Sequence, residues 1–193
     1  TCSGAGLENP PRLDVSAVRA GAYAVSARAR HVQINREAIR DYARRIFSAY
    51  PVTTQMDGEN HLVLKGAPEL TAQYILALDS INFGSGYFEV AKRAGIDFEY
   101  AQIARGLKDA MLNGRMKSPQ DWVAATADDF HAMFNVPRGK NAELDELMGL
   151  FAHHIAETGK RIVADYQGDV MNLLAAAGGS AEKLANIIAG WPT

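Results

Sequence analysis

From Ala142 to about Tyr166, Leu144, Leu147, Met148, Phe151, Ile155, Ile162 and Val163 recur mostly three or four residues apart, or at seven. That spacing returns to one side of an α-helix and scatters over both faces of a strand, so it commits the segment to a long amphipathic helix that other elements must cover. Gly159 is its weak point, and Gly168 lies beyond its end.

Shorter stretches repeat the pattern. Asp14 can cap a helix carrying Val15, Val18, Ala22 and Val25 that ends near Arg28 to His31. Asn35 can cap another whose Ile39, Tyr42, Ala43, Ile46, Phe47 and Tyr50 form an apolar face expected in a core, until Pro51 stops it. Between Val52 and Leu64, β-branched and polar residues flank Asp57-Gly58, which predicts at most one small β-hairpin. Pro68 then opens a helix with Leu70, Tyr74, Ile75, Leu76, Leu78 and Ile81, apolar enough to be surrounded. Gly84-Ser85-Gly86 breaks it, and Asp97 can begin the next, which ends at Asn113-Gly114. Ser118-Pro119 and the Thr126 to Asp129 capping box start two short helices, and Asp169 and Ser180 can cap the last two. The expectation is a mainly α fold of about eight helices: a flexible lead over residues 1–13 and one helical domain over 14–193.

The 193 residues are 48% hydrophobic, which excludes disorder for most of the chain, and a net charge of -2 gives no overall positive field for nucleic acid or an anionic bilayer. Cys2 is the single cysteine, so a disulfide framework and a Cys-based zinc cage are excluded, and a cytoplasmic location is expected. No apolar run is long enough to span a bilayer, and Thr1 to Pro11 lack a signal-peptide pattern. The chain opens without Met and stops just after a helical pattern at Trp191-Pro192-Thr193, which suggests a piece of something longer.

Several residues could carry chemistry. His153, His154 and Glu157 suit a solvated helix face better than a metal site, because no further ligand is identifiable; no metal is expected. Gly84-Ser85-Gly86 follows a helix and lacks the remaining positions of a nucleotide loop, so it reads first as a helix end, second as a place where a ligand approaches the backbone. Asp79 sits among Leu76, Leu78 and Ile81, which argues for an inward-facing carboxylate. Either it ties helices together, or it and Asn82 bond a buried polar ring on which Phe83 stacks. Lys183, one turn into the last helix, is a surface lysine or, with exposed backbone N–H groups, a phosphate receiver.

Ile75-Leu76-Ala77-Leu78-Asp79-Ser80-Ile81-Asn82-Phe83 resembles the Leu-Asp-x-x-Asn-Phe signature of the queuosine salvage protein family, the queuosine 5'-phosphate N-glycosylases. The stretch from Tyr166 to Leu174, then Gly178-Gly179-Ser180-Ala181-Glu182-Lys183-Leu184, is similar to a second family pattern. Ala110 to Gly114, Trp122 and Phe130 to Phe134 fall between them in the expected order. The chain departs from the pattern at Gly84-Ser85-Gly86-Tyr87, where many members have an aromatic pair, and at Asp169-Val170.

The resemblance implies a helical fold like that of the DNA glycosylases, and cofactor-free hydrolysis of queuosine 5'-phosphate to queuine and ribose 5-phosphate, a step in salvage for tRNA modification. It assigns Asp79, Asn82 and Phe83 to the base pocket and Lys183 to the sugar or phosphate. It implies a nucleotide substrate as partner, with no direct nucleic acid and no membrane. The main catalytic carboxylate is then expected beyond residue 193, in a missing segment or a second chain that completes the site, unless Asp79 itself acts as acid or nucleophile. The competing expectation is a non-catalytic helical ligand-binding or protein-interaction module, with Asp79 and Asn82 tying helices together.

Overall fold

The computed structural model describes residues 14–49, 58–64 and 66–191. Among them are ten α-helices: α1 (Val15–Arg28), α2 (Arg36–Ala49), α3 (Pro68–Ser80), α4 (Phe88–Arg93), α5 (Tyr100–Leu112), α6 (Pro119–Val123), α7 (Ala127–Met133), α8 (Ala142–Asp165), α9 (Val170–Ala177) and α10 (Ala181–Ala189). A 3-10 turn spans Ser85–Tyr87, and the described residues contain no strand. The fold is mainly α. The hairpin expected around Asp57-Gly58 falls largely on residues outside those described; residues 58–60 form a turn, and 62–64 are not strand. By its backbone contacts the chain divides into two units, described residues 14–49 with 180–191, and 58–64 with 66–179.

In the first unit the predicted caps form. An Asp14 carboxylate oxygen accepts from the Ser16 N–H at 2.8 Å, Asn35 Oδ1 accepts from the Ala38 N–H at 2.9 Å, and Ser180 Oγ accepts from the Lys183 N–H at 3.2 Å. The apolar face of α2 corrects the expectation of a core: Ile39, Tyr42 and Phe47 are 56%, 67% and 78% exposed. Periodicity shows which face of a helix needs cover and carries no information on what covers it. On α10, Leu184, Ile187 and Ile188 are half-buried.

The second unit is built on α8, which buries Leu144, Leu147, Met148, Phe151, Ile155 and Ile162 and leaves Val163 partly exposed at the edge of its apolar stripe. Helices α6 and α7 lie along it. Gly159, which looks like a weakness in the sequence, is where α6 meets α8: a Cβ there would stand 2.6 Å from the Pro119 carbonyl oxygen and 3.0 Å from Trp122 Cβ. Trp122 is fully buried, and its Nε1–H donates to the Met116 carbonyl at 2.8 Å, so the large ring enters the core with its polar atom bonded. His131 of α7 is buried as well; its Nδ1 donates to the Val136 carbonyl at 2.9 Å, and Nε2 stands 3.4 Å from Asp145 Oδ1 on α8.

Helix α3 starts at Pro68 as expected and buries Tyr74, Ala77 and Leu78. The Tyr74 hydroxyl donates to the Ala104 carbonyl of α5 at 3.1 Å. Helix α5 begins later than Asp97: Glu99 is the N-cap, and the Gln102 side chain accepts from its N–H at 3.2 Å. Helix α4 was not expected, being too short to show a periodicity. Between these helices Phe98, Phe130, Phe134 and Phe151 meet with neighbouring ring centroids 5.7 to 6.2 Å apart. Among the described residues no helix is long and apolar enough to cross a membrane.

Candidate functional site

The C-terminal end of α3 turns the chain back onto α8. Gly84 makes the turn possible on two counts: its φ of +94° lies in the left-handed region, and a Cβ there would come within 2.8 Å of Leu147 Cδ1. Helix α3 ends ahead of the glycines, at Ser80 with Ile81 as its C-cap, so the Gly84-Ser85-Gly86 segment opens the 3-10 turn and the helix-end reading is corrected. Just before it, Phe83 is set edge-on against two side chains of α8, with ring centroids 5.2 Å from Phe151 and 4.8 Å from His154.

This turn borders a hollow of about 210 Å³. Phe83, Phe88 and Tyr100 supply aromatic wall, Leu78 and Ile103 apolar lining, and Asn82 and Ser85 polar groups. Its volume lies below the roughly 300 Å³ at the lower end of small-molecule pockets, so it has room for a flat ring system and not for a whole nucleotide. At Tyr100 the hydroxyl is 3.0 Å from His61 Nε2, and the two rings are tilted with centroids 5.8 Å apart. The His61 ring also stands edge-on to Tyr74 at 6.4 Å. Tyr74 itself is a buried phenol whose pKa is pushed well above its ordinary value, first by desolvation and then by the neighbouring Tyr100.

The expected site residues separate. Asn82 and Phe83 line the hollow, although Asn82 is exposed rather than interior. Asp79 corrects the inward reading: α3 turns Ala77 and Leu78 into the core, and one residue on, about 100° further round the helix, Asp79 is exposed. Its apolar sequence neighbours lie on other sides of the same helix. Enough of the carboxyl is covered for desolvation to raise its pKa from the ordinary value. Lys183 is exposed on α10, in the first unit. Glu157 accepts a 2.6 Å hydrogen bond from Lys160 Nζ, which holds its carboxyl below the usual range. Among the described residues no group of three His, Cys, Asp or Glu side chains could hold a metal ion.

Sequence reasoning missed Tyr100, Phe88 and Ile103 as lining residues, whereas Ser85 belongs to the Gly84-Ser85-Gly86 segment whose second reading is ligand approach. Only the aromatic character of Tyr100 and Phe88 could have drawn attention, and nothing local links either to Asn82.

Fold and site define a mainly helical protein with a small aromatic-walled hollow. Its sequence matches the family model described as queuosine salvage protein over residues 62–191, and the chain belongs to that family. It is 25% identical over 178 residues to a queuosine 5'-phosphate N-glycosylase/hydrolase of Dictyostelium discoideum, covering 85% of this chain and 50% of that protein. It is 28% identical over 167 residues to a protein of the same description from Sphaerobacter thermophilus, again covering 85% and 50%. The chain spans about half the length of these curated relatives.

Proposed function

We propose that this chain carries the base-binding part of an N-glycosyl hydrolase that releases queuine from queuosine 5'-phosphate. The observation that carries the reading is that Asn82 and Phe83 of the signature share the lining of one aromatic hollow, inside the residues matched to the family. A planar deazapurine would stack on such walls and leave the ribose 5-phosphate outside, as the hollow's volume requires.

In the hydrolysis, the bond between C1' of the sugar and the base nitrogen breaks with its electron pair going to the base. Positive charge develops on the sugar, water adds its oxygen at C1', and its two hydrogens end on the base and on the new sugar hydroxyl. No cofactor is consumed. A carboxylate near C1' would stabilise the cation and accept the proton of the attacking water, while enclosure of the base eases its departure. Asp79 holds its proton more readily than an ordinary aspartate, as a general acid does, but it is exposed and does not line the hollow, so that role requires the substrate to reach past the hollow's rim. The main carboxylate is proposed to come from a further segment or a second chain, in keeping with relatives about twice as long.

The exposure of Asp79 favours a second reading, in which these residues bind the base without turnover. Release of free queuine from queuosine 5'-phosphate separates the two. It is assayed with the 193-residue chain, with any longer product of the same gene, and with Asp79→Asn in each. Turnover by the longer product alone places the main carboxylate outside this chain. Absence of turnover in both, with no thermal stabilisation by the nucleotide, overturns the hydrolase reading.

A further inference from the structure

We infer that Tyr100, held by His61, is a specificity-determining residue of the hollow that reads a hydrogen-bonding edge of the bound heterocycle. The inference rests on the proposal that the hollow takes a base. Stacking between aromatic walls tolerates almost any ring, because every heterocycle presents a π-face. Discrimination between rings must come from polar groups that would be left unpaired by the wrong one. Three lining residues carry such groups: Asn82, Ser85 and Tyr100. Of these, Tyr100 alone among the described residues has its hydroxyl held by a histidine, with Nε2 at 3.0 Å.

That contact gives the hydroxyl a direction. When His61 Nε2 accepts, the Tyr100 O–H is spent on it and the oxygen lone pairs accept from an N–H of the ligand. When Nε2 carries the hydrogen, His61 donates and the Tyr100 O–H is free to donate to a ligand carbonyl. Whichever tautomer His61 adopts, the pair offers one hydrogen-bonding group to an oxo or amino substituent on the edge of the ring, as queuine carries, and a ring without such substituents leaves it unpaired. Tyr100 opens α5, and Tyr74 stands edge-on to the His61 ring, so the pair is seated on the helices that also carry lining residues Leu78 and Ile103. His61 is thereby a positioning residue that acts through Tyr100.

Equilibrium binding of queuine and of unsubstituted 7-deazapurine to the 193-residue chain tests the inference, with Tyr100→Phe, His61→Ala, His61→Gln and Phe83→Ala measured beside it. Tyr100→Phe is expected to weaken queuine about tenfold and 7-deazapurine little, the size of one lost hydrogen bond. His61→Ala should lower the same selectivity with the Tyr100 ring intact, and His61→Gln, which restores a polar partner, should recover part of it; a merely structural role would not follow that order. Phe83→Ala should weaken both probes alike. If Tyr100→Phe and His61→Ala both keep the wild-type preference while Phe83→Ala loses affinity, the inference is overturned and the base-binding reading stands. If the wild type binds neither probe, or Phe83→Ala changes nothing, that reading fails and the inference falls with it.

Discussion

The ring of Phe83 stands edge-on to the ring of Phe151, with centroids 5.2 Å apart and planes at 63°, and this contact joins the candidate site to the core of the second unit. Phe151 is fully buried among Phe130 and Phe134, so Phe83 rests on a part of α8 that is fixed in the core. Phe83→Leu should cost about 0.5–1.5 kcal/mol beyond its lost area. Urea unfolding of the variant beside Phe151→Leu and the double variant measures the coupling; additive losses would deny it.

Two glycines on α8 should respond to alanine with opposite signs. At Gly159 the new methyl would meet the Pro119 carbonyl at 2.6 Å, so Gly159→Ala should destabilise by about 1–3 kcal/mol as α6 is pushed off. At Gly149 a Cβ has nothing within 4 Å, and Gly149→Ala should stabilise by up to about 1 kcal/mol through helix propensity. Denaturation midpoints of the pair would settle the order.

Tyr74 links α3 to α5 through its hydroxyl at 3.1 Å from the Ala104 carbonyl, and Tyr74→Phe should cost about 1 kcal/mol. Its raised pKa adds a pH signature. The folded protein keeps the phenol proton above pH 10.0, the ordinary value, where the unfolded chain gives it up. The unfolded chain then binds fewer protons, so stability is lost as pH rises above that value. Alkaline unfolding of Tyr74→Phe should show a shallower slope than wild type.

The same sign applies to Asp79 at the acid end. Its pKa lies above the ordinary 3.8, so the folded state binds the proton more tightly, and this group's contribution falls as pH rises through 3.8 and on through the folded value. Asp79→Asn removes the desolvated charge. The variant's melting temperature should equal or slightly exceed wild type at neutral pH, with the difference shrinking toward pH 3. A lower melting temperature at neutral pH would mean that the carboxylate makes a stabilising contact.

Helix starts were legible because capping is local. The side chains of Asp14, Asn35, Ser118, Thr126, Asp169 and Ser180 each accept from an N–H two or three residues on, and nothing distant in the chain is needed. The exposure of Asp79 is not legible in its apolar sequence neighbours, because neighbours along a helix are not a side chain's surroundings. On a helix, adjacent residues point about 100° apart, so Leu78 and Asp79 face different surroundings. Tyr100 was invisible as a site residue because its relation to Asn82 exists only once α3 and α5 lie side by side.

The order of apolar and polar residues is enough to make this chain helical, to set most helix ends and to choose the side α8 turns inward, since each depends on neighbours within a turn or two. Which helix lies against Gly159, what His131 bonds, and where Asn82, Phe83 and Tyr100 converge depend on side chains far apart in the chain. Those contacts form when buried surfaces must interlock without voids or unpaired polar atoms, a condition on the assembled fold that no single stretch of residues contains.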